Sequence, residues 1–419
     1  AGVTGRTACE VARSGEEERP AMSERATGRT IVFLSYWGSD EPLTVSTVLP
    51  TLRMLLDQGL ATRIVLCTVE RSARIPPPFD IPGCVHVQWR ARQSGPKALS
   101  RALDMKRMHR DLVTLLRSER PQLLVARGVV AGGMAHFAAR STGVPYAVDY
   151  VEPHADYMAD VGEWRRNGPL YLGLNALIGL QCRSALRLVT VSHNYRRMLL
   201  AKGVPAERVL VAPCPVDAER MRFDPQARRE VRSLIGADEA PMGIYLGKFG
   251  GLYHREKSFA AFTRFLERAG TRSRFVVRTP EPPEQVLEGM RAAGADTTRV
   301  HVGFAGHAEV PRWLSAADVA FAPYRGTPSS ACISPMKIGE YWANGLPVVL
   351  TRGVGDDSSI IEQEPYAGAL FDPEGDDIDQ ALDRVLKVLT VADQRARTAE
   401  LAERYRSMDL TKAAYAAIL

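Results

Sequence analysis

One alternation constrains this chain more than any other feature, and it runs twice. Short apolar runs, each the length of one buried strand, alternate with segments whose apolar residues recur at helical spacing. The first run is Thr30-Ile-Val-Phe-Leu-Ser-Tyr36. A polar loop, Trp37-Gly-Ser-Asp-Glu-Pro42, follows it. Val45, Val48, Leu49, Leu52, Leu55 and Leu56 then mark a helix that stops at Gly59. Further strands are predicted at 63–69, 122–126 and 145–150, with helices at 97–118 and 132–141. Beyond them come strands at 186–191 and 209–212 around a helix at 193–202. The charged stretch 213–241 reads as a linker with a helix. The second unit has strands at 242–246, 274–278, 300–302, 319–322 and 347–351, and helices at 258–269, 283–293, 310–316 and 334–344. Continuous apolar strands separated by amphipathic helices belong in a parallel sheet covered on both faces. The fold class is therefore α/β, as two doubly wound domains facing across a cleft. Ligands in such sheets sit at the carboxyl ends of the strands.

The length of 419 residues suits two domains of this kind plus terminal segments. Residues 1–28 have no apolar periodicity and read as a disordered leader. The six cysteines, Cys9, Cys67, Cys84, Cys182, Cys214 and Cys332, form no CxxC and have irregular spacings. They suggest neither a disulfide framework nor a zinc site, and they suit a reducing, cytoplasmic compartment. The net charge of +6 is a mild bias that fits phosphate ligands or an anionic membrane surface, with no nucleic acid expected as a partner. No apolar run reaches the roughly 18–20 residues of a membrane span.

Two segments carry chemistry in the second half. In Ile244-Tyr-Leu-Gly-Lys-Phe-Gly-Gly-Leu-Tyr-His-Arg-Glu-Lys257, a strand leads to Gly247, Gly250 and Gly251, and a helix opens near Ser258. Glycines let backbone N–H groups approach a phosphate, and Lys248, Arg255 and Lys257 add positive charge. A P-loop is disfavoured, because Glu256 stands where its second glycine belongs. The other segment is Ser334-Pro-Met-Lys-Ile-Gly-Glu-Tyr-Trp-Ala-Asn-Gly-Leu-Pro-Val-Val349. Pro335 suits a helix start and Gly345 a helix end. Ser334 and the free N–H groups of the first turn suit an anion. Lys337 and Glu340 lie three apart on one helical face, the spacing of either a surface ion pair or a paired binding site.

The run 334–349 resembles the donor-site signature of the retaining, nucleotide-sugar-dependent glycosyltransferases of family 4 type (glycosyltransferase group 1). Residues 301–323, 186–217 and 144–149 resemble neighbouring segments of the same family. The likeness spans about residue 30 to residue 419. It implies the GT-B fold: two Rossmann-like domains, here 29–215 for the acceptor and 216–395 for linker and donor, with 396–419 crossing back as a helix. It implies no resident cofactor, only a UDP- or GDP-sugar as co-substrate. Glu340 would hold the ribose, and Lys248 and Lys257 the diphosphate. Ser334, Pro335 and Met336 would supply backbone contacts beside Lys337. The family's other glutamate, eight positions before Glu340, is replaced here by Cys332.

A third segment, Asp149-Tyr-Val-Glu-Pro-His-Ala-Asp156, follows a predicted strand and so faces the same cleft. Asp149, Glu152 and His154 are its catalytic candidates for orienting an acceptor or stabilising charge. Gly38 and Ser39, after the first strand, are candidate cleft-loop residues. No metal site is expected. His154 and Asp156 lack a third ligand, and Asp377-Ile-Asp379 reads as a helix start rather than a metal-binding DxD. Residues 90–120 hold nine basic against three acidic side chains, with an apolar stripe on the same helix. That pattern suits either a packed helix with a solvated face or a peripheral contact with the inner face of an anionic membrane. The expected activity is transfer of a hexose-like sugar to a hydroxyl acceptor: a glycan, a lipid-linked group or a small molecule. The alternatives are a nucleotide-sugar 2-epimerase and a non-catalytic nucleotide-sugar-binding protein.

Overall fold

The computed structural model describes residues 28–237 and 239–419, so the leader expected at 1–28 lies, but for Gly28, outside the described residues. Strands β1 (Thr30–Ser35), β2 (Arg63–Glu70), β3 (Cys84–Arg90), β4 (Leu123–Arg127), β5 (Tyr146–Asp149), β6 (Arg187–Thr190) and β7 (Val209–Val211) form one parallel sheet. Their order is β3-β2-β1-β4-β5-β6-β7. The helices of this half are α1 (Leu49–Asp57), α2 (Lys97–Glu119), α3 (Val129–Thr142), α4 (His154–Asp160), α5 (Pro169–Ser184) and α6 (His193–Ala201). Ile31, Val32, Phe33 and Leu34 are wholly buried, as a strand sandwiched between two helical layers requires.

After the short helices α7 (Ala218–Met221) and α8 (Pro225–Leu234), a second sheet begins. Its strands are β8 (Met242–Leu246), β9 (Arg274–Arg278), β10 (Val300–Gly303), β11 (Val319–Ala322), β12 (Val348–Thr351) and β13 (Gly368–Phe371), all parallel, in the order β10-β9-β8-β11-β12-β13. Helices α9 (Glu256–Arg268), α10 (Pro283–Ala292), α11 (Val310–Ala316), α12 (Met336–Ala343), α13 (Asp357–Gln363) and α14 (Ile378–Val388) cover it. Asp377 precedes the first turn of α14 and Asp379 pairs with Arg264, so the DxD string is a helix start.

Two strands escape the apolar pattern. β3 is a half-exposed edge strand, so it alternates instead of forming an apolar run. β13 is four residues at the opposite edge, opened by Gly368, whose φ of 141° and contact with the β12 backbone leave no room for a side chain. The helix expected from Val45 is also modified. Its first turn, Thr44–Val48, is π-helical, and α1 starts only at Leu49. Pro50 has no N–H to donate back along the helix, and Thr47 and Thr51 bond their own preceding carbonyls at 2.6 and 2.8 Å.

The chain then returns to its first half. Helix α15 (Gln394–Arg406) packs on α12, and α16 (Met408–Ala416) packs on α1 and β7. Tyr415 is buried, and its hydroxyl donates to Asp149 Oδ2 at 2.8 Å. The same carboxylate is ion-paired with Arg127, whose guanidinium also donates to Thr47 Oγ1 at 3.0 Å. Near the cleft the domains are stapled. Ser192 Oγ donates to the Cys332 carbonyl at 2.8 Å, and Cys214 N–H donates to Ser334 Oγ at 3.1 Å. Asp356 accepts from the N–H groups of His193 and Asn194 at 2.6 and 3.0 Å, a carboxylate on the positive end of α6.

Removing one member of a buried pair strands the other charge. Asp149→Ala is expected to lower the unfolding free energy in urea by about 3–5 kcal/mol. Tyr415→Phe, which loses one hydrogen bond to a charged group, should cost about 1.5–3 kcal/mol. Loss of less than about 1 kcal/mol in Asp149→Ala, the range of an exposed pair, would show that the pair does not hold the domain together.

Candidate functional site

In a doubly wound sheet the crevice lies where the strand order reverses, at the carboxyl ends. Here those points fall between β1 and β4 in one sheet and between β8 and β11 in the other. The loops after β1 and β8 both open onto one cleft of about 800 Å³.

On the second domain, Gly247 turns the chain out of β8 with a φ of 125°. A Cβ there would lie 2.9 Å from Lys337 Nζ, so a glycine is what lets the ammonium rest on the turn. Lys337 Nζ donates to the Leu246 carbonyl at 2.8 Å and stands 4.0 Å from the centre of the Tyr253 ring and 4.9 Å from that of Tyr245. Cation–π contacts of this kind contribute about 1–2 kcal/mol when desolvated. Tyr253 shares a 3.1 Å hydroxyl contact with Tyr324. Burial alone would push the Tyr253 phenol up. The adjacent Lys337 charge and the hydrogen bonds with Tyr324 and Lys337 outweigh that and bring it below the usual tyrosine range.

Lys337 therefore spends its charge on the turn and the tyrosines, not on an ion pair with Glu340. Glu340 lines the cleft and has no ion-pair partner among the described residues. Burial pushes its carboxyl up, and the nearby charges of Lys337 and Arg220 only partly pull it back. Arg220 is itself held by His307, bonding its Nε2 at 2.6 Å and its carbonyl at 2.5 Å.

Lys248 lines the cleft next to Gly247, with its carbonyl fixed by Tyr245 Oη at 2.6 Å. Gly251 lines it too, whereas Gly250 stands just behind, bridged to Tyr253. The other two basic residues of the loop are turned elsewhere: Arg255 pairs with Glu281, and Lys257 with Glu374 at 3.0 Å on the surface. Lys257 does not line the cleft, because its place in the first turn of α9 carries it past the glycine turn. Ser334, Pro335 and Met336 form the lip at the start of α12. The Ser334 hydroxyl oxygen is already engaged by Cys214 N–H and Arg406, so Ser334 joins the domains as well as lining the cleft.

From the first domain come Trp37, Glu41, Glu152 and His154. His154 Nδ1 lies 2.7 Å from Glu152 Oε1, and its ring stacks on Tyr157. The Tyr195 hydroxyl donates to the Glu152 carbonyl at 3.3 Å. Asp149 is not with them. It is buried beneath the loop in its pair with Arg127 and Tyr415, because the last residue of β5 points into the sheet's packing rather than out of it. Gly38 and Ser39 also stand back from the cleft. Ser39 is buried with its N–H on Glu70 at 3.2 Å, and Gly38 N–H bonds Glu41 at 3.1 Å, so the pair shapes the loop that presents Trp37 and Glu41.

Arg278 is the main residue that sequence reasoning missed. It ends β9 in the cleft, packed 3.1 Å from the centre of the Trp313 ring. Burial pushes its guanidinium down to about 10, and Glu309 only partly offsets that. Its Nε and Nη2 have no hydrogen-bond partner among the described residues. No local signal marks it: Arg274 and Arg278 bracket the apolar run Phe-Val-Val alike, and only the folded structure leaves Arg278 buried, which costs free energy without a partner. Lys248, Arg278 and Lys337 thus line one cleft with no ion pair among the described residues. No group of three or more metal-ligating side chains occurs among the described residues either.

Comparison with known proteins agrees with this architecture. Residues 45–215 match the family described as glycosyl transferase 4-like domain, and residues 244–390 match glycosyl transferases group 1. Sucrose-phosphate synthase from Thermosynechococcus elongatus superposes with a TM-score of 0.71 at 14% identity, over 92% of this chain and 97% of that one. Anabaena HepE, solved in complex with UDP, gives 0.68 at 12% identity, over 92% and 98%. WaaG, a glycosyltransferase involved in lipopolysaccharide biosynthesis, gives 0.64 at 15% identity, over 92% and 98%. No curated protein sequence matches. The chain belongs to the glycosyltransferases of the two-domain GT-B fold, a glycosyl transferase 4-like domain followed by a group 1 domain.

A carboxyl whose pKa is raised by folding costs stability when ionised, so that cost is present above its folded pKa and fades as the pH falls through it. Glu340→Gln is therefore expected to raise the melting temperature of the unliganded protein at neutral pH. The advantage should shrink as the pH falls into the range where Glu340 is protonated. A variant that melts lower than the parent at neutral pH would contradict burial as the dominant influence on this group.

Proposed function

We propose that this chain is a retaining glycosyltransferase that moves a hexose-like sugar from a UDP- or GDP-sugar to a hydroxyl acceptor. The observation that carries the reading is the charge of the cleft: Lys248, Arg278 and Lys337 unpaired at the carboxyl ends of the strands, with Glu340 alone opposing them from the donor side. A diphosphate supplies the negative charge these groups lack. Glu340 suits two adjacent ribose hydroxyls, which are neutral donors that a carboxylate accepts. HepE was solved with UDP, which favours a uridine donor.

Transfer breaks the bond from the anomeric carbon to the β-phosphate oxygen, which leaves with the electron pair. A bond forms from the same carbon to the acceptor oxygen, whose proton passes to the departing phosphate or to a base. Negative charge therefore grows on the diphosphate, where fixed cations act most strongly. The reading assigns this work to Lys248, Lys337, Arg278 and the backbone of Gly247, Gly251 and the α12 start. Ser334 lines that surface and fixes the start of α12, Gly250 stands behind it, and Lys257 is left outside it. Asp149 drops to a structural role. Glu152 and His154, hydrogen-bonded to each other, face the acceptor, with the Trp37 ring as an apolar face for a sugar.

Purified full-length protein, given a panel of UDP- and GDP-sugars, is expected to bind the nucleoside diphosphate and to hydrolyse or transfer one of the sugars. Glu340→Ala should weaken diphosphate affinity by about 10–100-fold. Lys248→Met should lower turnover by about 100–1000-fold. No nucleotide binding would overturn the reading. Binding with release of free epimerised sugar would replace it by the epimerase, and binding without any turnover by a sensor.

A further inference from the structure

Tyr253 stands among the groups assigned to the diphosphate without a task of its own. It lines the cleft together with Lys248 and Lys337. It belongs to the turn that follows β8, and that turn is pinned to the segment after β11. Tyr253 N–H donates to the Gly250 carbonyl at 3.1 Å, His254 N–H to the Pro323 carbonyl at 3.3 Å, and Arg325 N–H to the Leu252 carbonyl at 2.7 Å. β8 and β11 are the neighbours between which the strand order reverses. The ring is therefore fixed at the crevice itself, with Lys337 Nζ 4.0 Å from its centre. Lys257, further along the same loop, is held away by Glu374.

The hydroxyl has a defined direction. Tyr253 Oη and Tyr324 Oη lie 3.1 Å apart, and one proton serves that contact. Tyr324 is 2% exposed, and its hydroxyl has no other hydrogen-bond partner among the described residues. Were Tyr253 the donor, the Tyr324 proton would be buried without an acceptor, which costs the full desolvation of that group. Tyr324 therefore donates, and Tyr253 keeps its own proton for the cleft. The acidities agree. Burial and then the neighbouring Tyr253 hold the Tyr324 phenol well above the usual range. Burial pushes Tyr253 up as well, but Lys337, the Tyr324 hydrogen bond and Lys248 outweigh it and bring that phenol below the usual range. Tyr245 on β8, Tyr341 on α12 and Tyr157 on α4 are the other titratable groups facing it. The stronger acid of the pair is thus the one turned to the ligand.

We propose that Tyr253 is a catalytic residue of the sugar transfer, its phenol donating a hydrogen bond to the β-phosphate oxygen that leaves the anomeric carbon. The assignment rests on the transferase reading. As the bond from carbon to oxygen breaks, its electron pair stays on the oxygen, and negative charge grows there. An acidic donor bonds that growing charge more strongly than it bonds the bridging oxygen of the intact donor sugar, so the interaction tightens in the transition state. The phenolic proton remains on Tyr253 throughout, and the acceptor's proton travels separately. Tyr324 fixes the direction of the phenolic proton and is a positioning residue.

The test is steady-state kinetics of the full chain across pH, with the nucleotide sugar that it turns over, beside UDP affinity for the parent, Tyr253→Phe and Tyr324→Phe. In Tyr253→Phe, kcat should fall about 10–100-fold. KM for the donor and UDP affinity should stay within about threefold, because the lost interaction belongs to the transition state. In the parent, kcat should decline on the alkaline side as Tyr253 loses its proton, at a pH below the usual tyrosine range. That limb should vanish in Tyr253→Phe. In Tyr324→Phe it should move to higher pH, since a hydrogen bond that favours the phenolate is gone, and kcat should fall only about 2–10-fold. A limb that persists in Tyr253→Phe belongs to the lysines and would overturn the assignment, as would a limb unmoved in Tyr324→Phe. A loss confined to KM and UDP affinity would also overturn it, reducing Tyr253 to a packing contact. Each of these results leaves the transferase reading intact. A parent that turns over no nucleotide sugar overturns that reading, and this assignment with it.

Discussion

The Ser334 hydroxyl is where this structure is held together. Its oxygen takes a hydrogen bond from the backbone of Cys214 in the first domain and another from Arg406 in the returning C-terminal segment. Arg406 in turn pairs with buried Asp357. Three parts of the chain, distant in sequence, meet at the residue that precedes α12, the helix that carries Lys337 and Glu340. The cleft geometry depends on that junction. Shifting Ser334 would move the helix start against the β8 turn, and Lys337 bridges the two through a single carbonyl and two tyrosine rings.

The cleft is built against its own stability. Among the described residues, buried Arg278 has no carboxylate and half-buried Glu340 has no cation at contact distance. Groups that cost free energy in the empty protein are those whose interactions are completed by a ligand. Elsewhere buried charges are satisfied: Arg127 pairs with Asp149, Arg232 with Asp318 and Arg406 with Asp357, and Glu70 accepts hydrogen bonds from Ser39 N–H and Thr68 Oγ1. The contrast between these satisfied charges and the unpaired cleft is what marks a binding surface.

Much of this was legible in the sequence, for identifiable reasons. Continuous apolar runs such as Ile31–Leu34 admit little but a buried parallel strand, so most of both sheets could be read directly. The edge strands β3 and β13 could not, because an edge need not be apolar throughout. Gly247, Lys248, Lys337 and Glu340 were legible as local patterns, a glycine turn after a strand and charges spaced on one helical face. What failed was anything decided by tertiary partners. Lys257 looked equivalent to Lys248 until Glu374 claimed it, and Asp149 looked like a cleft residue until Arg127 and Tyr415 did. Arg278 gave the reverse error, an ordinary strand-end arginine that folding leaves buried and unpaired. Nothing local distinguishes these cases, since the deciding residues lie far away along the chain.

The central claim is that a nucleoside diphosphate sits between the β8 turn and the start of α12. Amide hydrogen exchange of the full chain with and without UDP tests it most directly. The account predicts slowed exchange concentrated in residues 246–253 and 333–340, with helices α2, α3 and α5 unchanged. Protection confined to any other part of the chain, with those two segments exchanging as before, would contradict it.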